Sequence, residues 1–327
     1  MKSLKIIFFG SSEYSIPTLS VLVKAGCPIQ AAVTLPERKG GRGQEVLPSP
    51  VREWAEAHKI KAFQQEKMAD PSFQETLKAL SPDLFIVVSF GKFLPSSLLQ
   101  IPKLYALNIH PSLLPKFRGP SPVAWAILEG DQTTGVTLIR VNERIDAGEI
   151  LLKEEHPIAE TDDVHTLSER LFQKGAELLL KGLSLIEEGH AQFTPQDEKK
   201  ATYAPRLKKS DGDIDWSDES RRIARQIRAF KGWPGSFTFY QGRRLILWKV
   251  HPQAKGGPVL GENRSKQERP GQVIALSKEG IVVATGDGAL LIQELQLEGK
   301  ERLAADRFLA GHPLTVGETF ACNPGSS

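Results

Sequence analysis

Cysteine is scarce in this 327-residue chain: Cys27 and Cys322 lie near opposite ends, at no spacing used by metal ligands or a disulfide framework. A reducing, cytoplasmic setting and no structural metal are therefore expected. No uninterrupted apolar run reaches membrane-spanning length, so no membrane partner is expected either. The opening MKSLKIIFFG is broken by Gly10 after too few apolar residues for a secretory signal, and no small-residue cleavage pattern follows. It reads instead as a first β-strand. That strand is not followed by GxGxxG, which argues against a nicotinamide dinucleotide. GxSxG, paired cysteines and HExxH are missing too, leaving no covalent nucleophile or zinc centre of those kinds.

What remains has the composition of a globular protein, 40% hydrophobic and 25% charged, and a length that favours two domains. The net charge of +3 hides an asymmetry. Residues 1–189 carry 21 Lys and Arg against 23 Asp and Glu, whereas 190–327 carry 21 against 16. The basic second part suits a polyanionic partner such as nucleic acid, although a solvated basic face has the same composition.

The first half alternates strand-like and helix-like stretches, the pattern of a doubly wound parallel α/β sheet of Rossmann-like type. Strands are expected at Lys5 to Phe9, Ile29 to Thr34, Asp83 to Phe90, Leu107 to His110 and Val136 to Val141. Ile16, Leu19, Leu22 and Val23 share a helical face ended by Gly26, and a long helix is expected from about Asp162 to Glu188, capped by Thr161 and stopped by Gly189. The polar stretch after it reads as a linker. Beyond lie a basic helix near Asp218 to Phe230 and strand-like runs at Ser236 to Tyr240, Arg244 to Val250, Gln272 to Leu276, Ile281 to Thr285 and Leu290 to Leu295. They suggest a small antiparallel barrel, with an OB-like one among the candidates. The division expected is 1–189 for the Rossmann-like domain, 190–208 for the linker and 209–327 for the smaller barrel domain.

The densest chemical signal runs from Ala106 to Val123. Period-two geometry sends Leu107 and Ile109 to one side of a strand, and Asn108 and His110 together to the other. Pro111, Pro115, Pro120 and Pro122 then forbid a helix and stiffen the loop, while Gly119 permits a tight path. Taken singly, His110 reads as a buried, hydrogen-bonded core histidine, and Asp146, in a Gly-containing turn, as an Asx turn. Together the three supply what acyl transfer to an amine needs: a group to receive the amine proton and donors for the oxyanion, without a metal.

The run Asn108, His110, Ser112, Leu113, Leu114, Pro115, followed at a distance by Asp146 and Gly148, resembles the folate-dependent formyltransferase family. Its members include enzymes acting on glycinamide ribonucleotide, on sugar nucleotides and on methionyl-tRNA, and a formyltetrahydrofolate hydrolase domain. The resemblance implies 10-formyltetrahydrofolate as formyl donor and Asn108, His110 and Asp146 as catalytic residues. It also implies a folate pocket bordered by Ser89, Phe90, Gly91, Ser112, Leu113, Leu114 and Pro115. Residues 40–51, GGRGQEVLPSPV, resemble the basic insertion that the methionyl-tRNA branch sets against the acceptor arm, and residues 283–311 resemble that branch's C-terminal barrel. Methionyl-initiator tRNA is therefore the implied acceptor, held by Arg38, Lys39 and Arg42 in the catalytic domain and by Arg243 and Arg244 in the tRNA-binding domain of a monomer. Gln44 and Glu45 stand where the insertion is commonly richer in lysine. Three rivals remain: a formyltetrahydrofolate hydrolase using water on the same triad, a sugar-nucleotide formyltransferase on the same site, and a non-catalytic tRNA-binding protein.

Overall fold

The computed structural model describes residues 3–40, 45–47, 49–253 and 268–321. The chain forms two units, one of residues 1–123, 132–159 and 166–205, the other of 124–131, 160–165 and 206–327.

In chain order, the first unit begins with β1 (Ile6–Gly10), α1 (Ile16–Lys24), β2 (Ile29–Thr34), β3 (Arg38–Gly40), β4 (Glu45–Leu47), α2 (Pro50–Ala57), β5 (Ala62–Gln64), α3 (Pro71–Ala79) and β6 (Leu84–Val88). The chain continues with α4 (Ser96–Leu99), β7 (Tyr105–His110), α5 (Pro122–Glu129), β8 (Thr133–Arg140), β9 (Ile150–Pro157) and α6 (Val164–Glu187); all but the first two residues of α5, and the first two of α6, belong to the second unit. Local chemistry sets several boundaries. Ser49 and Asp70 cap α2 and α3 through their side-chain oxygens, each with proline at the first helical position. The left-handed Gly26 (φ 73°) ends α1.

Seven strands form one sheet in the order β5-β2-β1-β6-β7-β8-β9. Order reverses between β1 and β6, whose carboxyl ends meet at Gly10 and Val88. That is the switch point where such sheets bind ligands. β1 is buried throughout, because apolar layers cover both faces. Ile6, Phe8, Leu107 and Ile109 pack in one layer with Leu19, Leu22, Phe172 and Leu178. Ile7, Phe9 and Phe85 pack in the other with Phe73, Leu77 and Leu98. Gly175 sits within α6 because a Cβ there would stand 2.4 Å from Ile109 Cγ2. Close helix-to-sheet approach outweighs the roughly 1 kcal/mol that glycine costs a helix.

The sheet is not wholly parallel as expected: β8 runs antiparallel to β7, and β9 antiparallel to β8. The connection at 141–149 is too short for a helical crossover, which forces β9 to return. An apolar run gives no sign of its direction, so the pattern concealed this.

The second unit holds α7 (Ser220–Ala229), β10 (Ser236–Tyr240), β11 (Arg243–Gln253), β12 (Val273–Ser277), β13 (Gly280–Ala284), β14 (Ala289–Leu297), β15 (Arg302–Ala304) and α8 (Ala305–Gly311). Its antiparallel sheet runs β10-β11-β14-β13-β12, with β15 on β14. Ile223 and Ile227 of α7 and Phe308 of α8 bury against Leu245, Val283 and Ile292. The expected barrel does not close: β10 and β12 do not pair. Isolated bridges from Ala321 to Phe239 and from Thr319 to Gln272 occupy the edges instead. No described helix is long and apolar enough to cross a membrane.

Candidate active site

The site grows from the end of β7. Leu107 and Ile109 are buried in the sheet core, and the alternation turns half-buried Asn108 and buried His110 to the opposite face. Asn108 lies in register with Val87, so Ser89, Phe90 and Gly91 leave the neighbouring strand beside it.

The 141–149 loop brings Asp146 to this face. One carboxylate oxygen stands 3.5 Å from Asn108 Nδ2 and the other 3.5 Å from His110 Nδ1. Oδ2 also accepts the Gly119 N–H at 2.9 Å. The long contacts to Asn108 and His110 leave both able to turn to a reacting group, as in many active sites before substrate arrives. His110 Nε2 lies 2.9 Å from Phe117 O. A carbonyl only accepts, so Nε2 carries the proton and Nδ1 faces Asp146, an acceptor when the ring is neutral and a donor when it is charged.

Asp146 is left-handed (φ 49°), a conformation that aspartate tolerates better than most residues but that still costs an L residue energy unless its surroundings favour it. Two features do so. At Gly148 a Cβ would fall 1.6 Å from Arg140 O, so the turn closes only on glycine. Gln196 Nε2 donates to Asp146 O and to Gly148 O, both at 2.7 Å.

Gln196 Oε1 in turn accepts from Arg118 Nε at 3.0 Å and Nη2 at 2.9 Å. Guanidinium only donates, which fixes the amide with its NH2 toward the two carbonyls. Arg118 is 1% exposed, and such a charge needs a partner. Glu198 supplies it through 3.0 and 3.1 Å contacts and also meets Arg144 at 2.9 Å. The Glu198 hydrogen bond raises the Arg118 guanidinium above its usual value; the same bond, with help from Arg144, holds Glu198 below the usual carboxylate range.

Residues 194–204 are thus more than a connection. Thr194 exchanges two backbone bonds with Ile150, Thr202 Oγ1 accepts the Phe117 N–H, and Ala204 N–H donates to Arg118 O. Arg118, Gln196 and Glu198 were absent from the sequence-derived site. Arg118 stood within the proline-rich run, where a lone arginine was a usable signal; Gln196 had none, since its partners lie 48 and 50 residues away.

The remaining expected residues divide. Gly91 (φ 77°) is exposed, with open space where a Cβ would stand. Ser89 is left-handed and accepts from Ser12 Oγ at 2.8 Å, while Phe90 is buried edge-on to Phe9. Ser112 is buried and donates to Lys116 O; Leu114 is buried with its N–H on Thr137 Oγ1. Leu113 and Pro115 are half-buried. Of the basic residues, Arg243 is exposed, but Arg244 folds over the Phe237 ring at 3.6 Å. Arg38 and Lys39 have their backbones on β3, paired with Leu47 and Val46. Their side chains, and the whole of Arg42, lie outside the described residues, as do Gln44 and Cys322. Among the described residues no group of three or more His, Cys, Asp or Glu is arranged to hold a metal.

A doubly wound sheet with a part-buried Asn, His and Asp cluster beside its switch point defines an α/β enzyme domain, here followed by an antiparallel β domain. The chain belongs to the formyl transferase family: the family's "Formyl transferase" model matches residues 4–183, and its "Formyl transferase, C-terminal domain" model matches 206–313. It is 41% identical over 317 residues to methionyl-tRNA formyltransferase of Geobacter sulfurreducens, covering 97% of this chain and 96% of that one. To the enzyme of the same name from Halalkalibacterium halodurans it is 40% identical over 326 residues, 99% and 100% of the two chains. In fold it resembles HypX from Aquifex aeolicus in complex with tetrahydrofolic acid (TM-score 0.65, 20% identity, 97% of this chain and 50% of that one). It also resembles WlaRD, a sugar 3N-formyltransferase (TM-score 0.62, 18% identity, 91% and 99%).

Proposed function

We propose that the protein transfers a formyl group from 10-formyltetrahydrofolate to the free amino group of methionyl-initiator tRNA, giving N-formylmethionyl-tRNA. The observation that carries this reading is the full-length likeness to methionyl-tRNA formyltransferases, which takes in both halves of the chain.

The amine attacks the formyl carbon, a C–N bond forms, and the carbonyl oxygen becomes an oxyanion. Asn108 Nδ2 and, when protonated, His110 Nδ1 donate to that oxyanion. Asp146, next to both, steadies the charged imidazole and takes part in removing the amine proton; the C–N bond to the folate breaks as its nitrogen regains a proton. Ser89 to Gly91 and Ser112 to Pro115 border the folate, where the bonded Ser112 and Leu114 serve by shaping the loop. Residues 1–189 form the catalytic domain, 190–208 a linker whose 194–204 stretch packs back on that domain, and 209–327 the tRNA-binding domain of a cytoplasmic monomer. Arg38, Lys39, Arg42 and Arg243 contribute phosphate contacts.

The test offers the protein 10-formyltetrahydrofolate with methionyl-initiator tRNA, glycinamide ribonucleotide or a dTDP-amino sugar, while formate release is followed. Formylation of the tRNA alone is expected. Formate release without acceptor formylation would point to a hydrolase, and the absence of transfer even in a single turnover would leave only tRNA binding.

A further inference from the structure

We propose that Gln196, locked by Arg118 and Glu198, is a positioning residue for catalysis: the segment after α6 holds Asp146 in its working conformation. The proposal rests on the reading of Asp146 above. It extends the site to residues that touch neither the formyl group nor the amine.

The geometry is directional. Glu198 grips Arg118 with both carboxylate oxygens, Arg118 presents two N–H groups to Gln196 Oε1, and Gln196 Nε2 gives both its hydrogens to Asp146 O and Gly148 O. The first carbonyl is that of Asp146 itself and the second closes the turn two residues on, so both hold the left-handed backbone that aims the Asp146 carboxylate at Asn108 and His110. Arg118 also leads directly into Gly119, whose N–H caps that carboxylate. The same buried guanidinium therefore fixes the Asp146 backbone through Gln196 and stands next to the donor that fixes its side chain. Without the amide donors, two carbonyls would face an acceptor or a void, and the turn would lose its hold on Asp146. The reacting groups would still be present but misplaced, and displacement of about 1 Å costs on the order of a hundredfold in rate.

Gln196→Glu tests this with little change of size, since the new carboxylate keeps its pairing with Arg118 but offers no hydrogen to the carbonyls. In full-length protein, kcat for methionyl-initiator tRNA should fall about tenfold or more, with KM for the folate nearly unchanged and little change in Tm. In an Asp146→Asn background the same substitution should cost little further, because a residue acting through Asp146 has nothing left to position. Glu198→Gln, at the exposed end of the chain of contacts, should show a weaker fall of several-fold with the same non-additivity, and it serves if Gln196→Glu does not fold. Normal kcat for both variants, or equal losses in the wild-type and Asp146→Asn backgrounds, would overturn the proposal while leaving Asp146 in place. Normal kcat for Asp146→Asn alone would instead remove the role of Asp146 and the proposal with it.

Discussion

Two arginines drawn inward, Arg118 in the first unit and Arg244 in the second, are held differently. Arg118, beside the loops around β7, is paired with Glu198 and Gln196, and its guanidinium is pushed above its usual value. Arg244 on β11 lies over Phe237 and donates to Pro234 O, and burial pulls it below its usual value. The first is a charged strut inside a polar network; the second is part of an apolar packing surface. A positive charge in the sequence is therefore no guide to a phosphate contact until its surroundings are known.

The largest effects belong to the network that Arg118 supports. Asn108→Ala or His110→Ala should each lower kcat about a hundredfold or more with folate affinity nearly intact, since oxyanion donors act mainly in the transition state. Asp146→Asn should fall in the same range. Arg244→Ala should leave kcat at saturating tRNA near wild type. Single-turnover rates check all four, and a slow Arg244→Ala would erase the distinction between the regions.

Next in size is the turn itself. Gly148→Ala drives a Cβ into Arg140 O, which the loop relieves only by moving Asp146. Overpacking of this kind costs about 1–3 kcal/mol. A lower Tm together with a drop in kcat is expected, and a variant normal in both would show that the loop has room the structure does not indicate.

How much of this was legible follows from the same physics. Asn108 and His110 could be placed on one face because a strand's period of two is strict, and α6 and α7 because their apolar positions recur at helical spacing. The reversed β8 and β9 could not, since burial patterns are blind to strand direction. Nor could Gln196, whose role depends on a fold that brings it to Asp146. Arg243 and Arg244 make a basic pair in the sequence, yet period two sends adjacent strand residues to opposite faces. The rule that puts Asn108 and His110 on one face separates Arg243 from Arg244.

That separation is measurable. Arg243→Ala, at an exposed position, should reduce the slope of log affinity for tRNA against log salt by about one. Arg244→Ala should leave the slope nearly unchanged and instead cost about 1 kcal/mol of stability through its lost stacking on Phe237. Titrations from low to moderate salt, beside thermal unfolding of both variants, decide it. Equal slopes lost by the two would mean that Arg244 leaves Phe237 when tRNA binds.

The smallest expected effect concerns the charge behind Arg118. Glu198 is held below the usual carboxylate range, first by its hydrogen bond from Arg118 and then by Arg144. A carboxyl whose folded pKa is depressed stabilises the folded state above its unfolded pKa, and that contribution disappears as pH falls through the lower, folded value. Wild type should therefore melt slightly above Glu198→Gln at neutral pH, with the gap closing in acid below the ordinary carboxylate range. The difference is small because Glu198 is solvent-exposed, where water and salt screen an ion pair. Added salt should narrow the gap at neutral pH and leave it unchanged in acid. The matching comparison at Arg244, where burial outweighs the attraction of Glu298 and Asp213, is wild type against Arg244→Ala, whose gap should change less over the same acid range. A gap at Glu198 that is independent of both pH and salt would mean that Arg118 is held by shape and by Gln196 alone.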